Sequence, residues 1–155
     1  MQHISLQAAI TLTEWSERTI RRRLADGGLL SAAHHKDTYK NQISFASISQ
    51  HFCISLTAED VDILAGAENG DAAAQTDLAL LFLENDKPKS ALYWLEAAAK
   101  QNHADAIHLL GCCYLQGKGV SQDDNSAIMW IAKAASHGHA LALAQIQSIY
   151  PAKKA

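Results

Sequence analysis

The sequence predicts a mainly α-helical chain in two parts, a small helical head followed by a stack of helical hairpins. Three observations carry that expectation. From Ala104 to Gly138, apolar residues recur at steps of three and four on either side of a glycine loop, which is the period of two amphipathic helices. A copy of this unit lies upstream: Trp94 answers Trp130, Ala91 answers Ala127, and Ala98-Ala99 answer Ala134-Ala135, all at a spacing of 36. Residues 4–54 do not fit the repeat and differ in charge. Up to Leu56 the formal balance is +2, and beyond it −5.

Taken in order, the head begins with Ser5 as a helix cap, followed by Leu6, Ala9, Ile10 and Thr13 on one face. A break falls near Glu14. Ser16 then caps a second helix running through Ala25, with Thr19 at its third helical position. Ile20 and Leu24 face inward with the stem of Arg23, while Glu17, Arg18, Arg21 and Arg22 point out. Gly27-Gly28 end the helix. Leu29 to Ala33 and Tyr39 to Ser44 read as short strands around His34-His35-Lys36-Asp37-Thr38, and Ala46 to Phe52 as one more helical turn. Two short helices and a hairpin make a small winged helix-turn-helix.

Ala8-Ala9, Trp15-Ser16, Arg18-Thr19-Ile20, Arg22, Leu24, Gly27 and Leu29 resemble the corresponding run of MerR-like and excisionase-type DNA-binding domains. Three positions depart from it. Glu14 stands where that family prefers glycine, Arg23 replaces an apolar tryptophan, and the wing lacks the usual glycine and arginine run. The resemblance implies contact with double-stranded DNA. Arg18 and Arg22 are one turn apart on a shared face with Arg21 beside them, and a guanidinium grips phosphate bidentately or reads guanine O6/N7. Ser16 and Thr19 stand ready to anchor phosphate near the helix N-terminus, and Lys36 and Lys40 to touch the backbone from the wing. The competing reading is a set of solvated arginines, or a protein-docking face on an inherited scaffold.

Cys53 to Thr57 joins the head to the repeats, and Ala58 to Glu68 reads as their first half-unit. Ala74, Leu78, Ala79 and Phe82 then stand where Ala106, Leu110, Gly111 and Tyr114 stand, at a spacing of 32, so the loop from Glu84 to Lys89 is four residues shorter. A half-length copy runs through Ala140, Ala142, Ile146 and Tyr150 and stops at Pro151. In the full unit, Gly117-Lys118-Gly119-Val120 cannot continue a helix, because each glycine costs about 1 kcal/mol against alanine. Asp123 or Asp124 caps the helix that follows.

Ala106, Leu110, Gly111, Tyr114, Gly117, Gly119, Val120, Asp123, Ala127, Trp130, Lys133, Ala134, Ala135 and Gly138 resemble the Sel-one-like repeat, a cousin of the tetratricopeptide repeat. The earlier copy has Asn85-Asp86-Lys87-Pro88 for the glycine loop. The likeness covers Leu56 to Tyr150 and implies an α-solenoid that binds other proteins and carries no catalysis. The expected layout is a winged helix-turn-helix at 1–55 and a solenoid at 56–155. A solenoid's concave face usually holds a peptide or partner helix. An acidic one favours a basic partner, with Asp77, Glu84, Asp105 and Asp124 as candidates.

Several classes are set aside. No apolar run approaches the roughly 18 residues of a membrane span. MQHISLQAAI lacks the basic and apolar regions of a signal peptide, and three cysteines make no disulfide framework, so a reducing cytoplasm is expected. His34-His35, His51 and Cys53, and His137 and His139 lack the spacing of a closed zinc site, and neither metal nor cofactor is expected. Cys113 reads as a core filler, Trp94 and Trp130 as packing residues, and the histidines near Gly138 as turn residues. No nucleophile elbow, phosphate loop or H-E-x-x-H appears, which argues against an enzyme. The expectation is a bacterial, non-enzymatic regulator or adaptor that binds DNA by its head and a protein by its solenoid. The alternative is an adaptor whose head no longer binds DNA. Two DNA half-sites would call for a homodimer, and with no long helix after the head, the solenoid would have to make it.

Overall fold

The computed structural model describes residues 1–31, 42–149 and 151. The chain divides into two compact units, Met1–Asn69 and Gly70–Ala155.

In the first unit, strand β1 (His3–Ser5) pairs antiparallel with β2 (Gln42–Ser44), Ile4 opposite Ile43. Both isoleucines are buried, and Ser31 bridges Ile43 from the other side. Helix α1 (Leu6–Thr13) starts where the Ser5 hydroxyl accepts the Ala8 N–H at 3.1 Å. It buries Leu6, Ala8, Ala9 and Leu12 and stops at Glu14, whose φ of 56° lies in the left-handed region. That geometry explains why a glycine suits position 14: a side chain there costs about 1–2 kcal/mol. Helix α2 (Glu17–Ala25) is capped by Ser16, which accepts the Thr19 N–H at 3.2 Å. It buries Ile20 fully and Leu24 partly, and ends as Gly27 turns to a φ of 75°. The Leu29 N–H then reaches back to the Arg23 carbonyl at 3.0 Å, and Leu29 enters the core.

The unit closes with α3 (Phe45–Ile48), a 3-10 turn (Ser49–His51) and α4 (Ala58–Glu68). A capping box starts α4: Thr57 accepts from the Asp60 N–H, and the Asp60 carboxylate accepts from the Thr57 N–H at 2.7 Å. At its far end the Glu68 carboxylate accepts the Ser5 N–H at 3.0 and 3.2 Å, tying α4 to the strand that opens the chain. Packing thus places α4 within Met1–Asn69, whereas the sequence grouped it with the repeats. β1 was not foreseen, because three residues are too few to display alternation. The strand expected at Tyr39 to Ser44 is described from Gln42 onward, and the one expected at Leu29 to Ala33 is represented by the Ser31 bridge. Residues 32–41, including His34, His35, Lys36 and Lys40, lie outside the described residues.

The second unit is a run of helices, each packed on the next: α5 (Ala72–Glu84), α6 (Pro88–Lys100), α7 (Ala104–Gln116), α8 (Asp124–Ser136) and α9 (Ala140–Ile149). Its core takes Leu78, Phe82, Leu95, Ile107 and Leu110, all under 2 % exposed, each stabilising by about 1.5–3 kcal/mol on burial. Repeat junctions share one geometry. Gly70, Asn102 and Gly138 take φ of 89°, 61° and 87° at equivalent positions, and the next residues, Asp71, His103 and His139, begin α5, α7 and α9. The His103 and His139 N–H groups close the preceding helices onto the Ala98 and Ala134 carbonyls at 3.2 and 3.1 Å. The expected hairpins and their loops are present, and of the two aspartates expected to cap α8, Asp123 does so. Asp123 takes the Asn125 and Ser126 N–H groups at 3.0 and 3.2 Å.

Candidate functional site

In the second unit, α5 and α7 line a groove of about 320 Å³ with the residue that opens α9. Ala73, Leu80 and Leu109 give it apolar surface, and Asp77 and Asp105 give it carboxylates. Thr76, His103, His108 and His139 supply the remaining polar groups. Of the four acids named from the sequence, Asp77 and Asp105 meet here, while Glu84 and Asp124 are exposed elsewhere on the unit.

The histidines form an ordered polar row. The Thr76 hydroxyl donates to the Ala72 carbonyl at 2.8 Å, so its oxygen accepts from His103 Nδ1 at 3.0 Å. His108, 6 % exposed, donates from Nε2 to Gln145 Oε1 at 2.9 Å, joining α7 to α9. His139 caps α9, its Nδ1 accepting the Ala142 N–H at 3.1 Å. Its proton therefore sits on Nε2, 3.4 Å from Asp105 Oδ1. The His108 and His139 rings stack at 4.2 Å with 22° between planes. Burial holds His139 below the usual histidine range and His108 pushes it further down, while Asp105 and a backbone hydrogen bond oppose them. His139 and its neighbours were read from sequence as turn residues. The signal that could have found them was the recurrence of histidine at 103 and 139 in one repeat position.

Cysteine chemistry is muted. Burial, aided by Cys112 and opposed by Lys118, pushes the Cys113 thiol up to about 11, and burial raises Cys112 too. Both remain protonated thiols at neutral pH and so are poor nucleophiles and ligands. Among the described residues, no group of three or more His, Cys, Asp or Glu is arranged to hold a metal ion. Trp94 is 4 % exposed within α6, and its repeat equivalent Trp130 is half-buried in α8, with Lys133 Nζ 5.3 Å over its ring.

In the first unit, α2 carries the residues singled out for DNA contact. Arg18, Arg21 and Arg22 are exposed. Arg21 Nε meets Glu17 Oε1 at 2.6 Å, an i,i+4 pair with both side chains about half exposed. Arg18 and Arg22 have no acidic partner among the described residues. Ser16 and Thr19 hold each other at the start of the helix, oxygen to oxygen at 2.9 Å. Lys36 and Lys40 lie outside the described residues. Arg23, expected to lend only its stem to the core, lays its guanidinium 4.1 Å over Trp15, whose other neighbour is the His51 ring at 4.8 Å.

Among known proteins, residues 72–103 and 104–139 match the Sel1 repeat family model, and these segments are two Sel1 repeats. Their bounds coincide with α5–α6 and α7–α8, the 32- and 36-residue units read from the spacing. A Sel1 repeat protein from Oxalobacter formigenes superposes with a TM-score of 0.57 at 29% identity, over 62% of this chain and 29% of that one. A protective antigen present in uropathogenic Escherichia coli strains, displaying an SLR fold, gives 0.55 at 33% identity, over 63% and 22%. The chain thus spans less than a third of either protein's length. No curated protein matches it. Among the described residues, no helix is long and apolar enough to cross a membrane.

Proposed function

We propose that this protein is a non-enzymatic regulator or adaptor whose Sel1 repeats hold a protein partner and whose head contacts double-stranded DNA. The observation that carries the first half is the groove between α5 and α7, which offers exposed Leu80 beside Asp77 and Asp105. A partner side chain buries apolar area there and finds polar groups to fix its orientation. For the second half, the head at 1–55 is read as a MerR-like winged helix-turn-helix. Support comes from the capped α2 after a sharp turn, from the pairing of β2, and from two exposed arginines one turn apart.

Replacing Arg18 and Arg22 together with alanine should weaken binding to random-sequence duplex and lower the salt slope by about one unit per lost phosphate contact. An electrophoretic shift indifferent to both changes removes the DNA half. What then stands is a protein-only adaptor. That reading is favoured by the commitment of Arg21 to Glu17 and of Arg23 to Trp15, which leaves a thin basic face.

A further inference from the structure

The groove is one-sided in charge. Its carboxylates are Asp77 and Asp105, and among the described residues that line it there is neither lysine nor arginine. Of its three histidines, His139 is the one that hydrogen bonding keeps uncharged, because its Nδ1 must hold a lone pair for the Ala142 N–H. His103 donates to Thr76, His108 donates to Gln145, and His139 accepts from the Ala142 N–H. A charged His139 would lose that acceptor and face the His108 ring stacked at 4.2 Å. Asp105 is 67% exposed at the side chain, so its second oxygen is open to a partner. Leu80, 38% exposed, leaves apolar surface beside the carboxylates.

We propose that this groove selects a partner segment bearing a lysine or arginine, seated between Asp77 and Asp105, with an aliphatic side chain against Leu80 and Leu109. The proposal rests on the reading of the repeats as a protein-binding module and narrows it to the partner's chemistry. A volume of about 320 Å³ suits one or two side chains rather than a cofactor, being at the small end of the roughly 300–1,000 Å³ of ligand pockets. Acidification then acts against binding. Asp105 and His108, both on α7, are the groups whose charge bears on His139; α9 has no titratable side chain and α8 adds none that acts on it. Once protonated, His139 supplies Asp105 with a cation from within the chain and competes with the partner's.

The test pans the full chain against a displayed library of random dodecapeptides at pH 7.5, keeping binders that a Leu80→Ser variant fails to retain. Enrichment of lysine or arginine next to an aliphatic residue is expected. For a synthetic peptide so selected, Asp77→Asn with Asp105→Asn should weaken binding about tenfold, as for loss of two partly exposed ion pairs. Binding should also weaken as pH is lowered from 7.5 through the depressed folded value of His139 in the wild type, and less so in His139→Asn, which keeps a capping acceptor and cannot titrate. Groove binders without basic enrichment, or an affinity unmoved by the asparagine pair, overturn the charge selection and leave the protein-binding reading standing. A library that yields no Leu80-dependent binder overturns both.

Discussion

Residues 72–103 and 104–139 are two versions of one hairpin, and they solve the same packing problem differently. Where α7 crosses α8, Gly111 faces Ile131: a Cβ on the glycine would lie 2.6 Å from Ile131 Cγ1 and 3.2 Å from the Ala127 carbonyl. At the matching place in the first repeat the residues are Ala79, Leu95 and Ala91, all buried. A β-branched side chain crowds its own backbone, so its partner must be glycine; leucine branches one carbon further out and leaves room for a methyl. The loops diverge as well. The first repeat turns through Asp86 at a φ of 55° and starts α6 with Pro88 at its first turn. The second uses Gly117 and Gly119, and a Cβ on Gly119 would lie 2.7 Å from Leu92 Cδ1 and 3.0 Å from the Pro88 backbone. The four extra residues are thus a contact onto the preceding repeat, not slack.

The comparison is most easily broken at the tryptophans, which share a repeat position but not an environment. Trp94→Ala should cost about 3–5 kcal/mol, as for a buried aromatic. Trp130→Ala should cost about 1–2 kcal/mol, from partial burial and an exposed cation–π contact. Equal losses in urea denaturation would mean that the two sites do the same work. Gly111→Ala comes next, with a cost of about 1–3 kcal/mol from overpacking despite alanine's better helix propensity. Ile131→Leu in the same chain recreates the Ala–Leu pair of the first repeat and should recover part of the loss, as a coupling above about 0.5 kcal/mol in a double-mutant cycle. Additive losses would show that the two hairpins cross differently.

The smallest effect concerns how the second helices begin. Asp123 is held below the usual carboxylate range chiefly by the Ser126 hydroxyl, then by the Ser126 N–H, with the Asn125 N–H adding to these and slight desolvation opposing. A depressed folded value contributes stability that is present above the ordinary aspartate value of about 4 and is lost as pH falls through the folded one. Asp123→Asn should flatten that acid limb of the thermal midpoint slightly. His139, also depressed, contributes stability present above about 6.5 and lost as pH falls through its folded value, so the two windows separate. α6, which starts on Lys87-Pro88 without a side-chain cap, has no counterpart. An unchanged acid limb in Asp123→Asn would show that the cap adds nothing measurable.

Much of the repeat segment was legible because its signals are local. Alternating three- and four-residue steps gave α5 to α9, glycines and the Asp123-Asp124 pair marked the loop before α8, and the 32 and 36 spacings gave the hairpins. The head was read less completely. Ser5 and Ser16 announced two helices, but β1 could not be heard in three residues. The role of Arg23 depended on Trp15 lying beneath it. The candidate groove was half legible: Asp77 and Asp105 stood among four acids, and nothing in their spacing separated them from Glu84 and Asp124.

By itself, then, the sequence determined which stretches are helical, where each stops, and that one hairpin recurs, since these depend on residues within a turn or two of each other. Tertiary structure alone decided which residues meet from afar. The Glu68 carboxylate finds the Ser5 N–H across 63 positions, His108 finds Gln145 across 37, and Thr76 finds His103 across 27. Such pairs carry no periodic trace, because a polar group's partner is set by which helices pack together and at what depth, and only the folded chain fixes both.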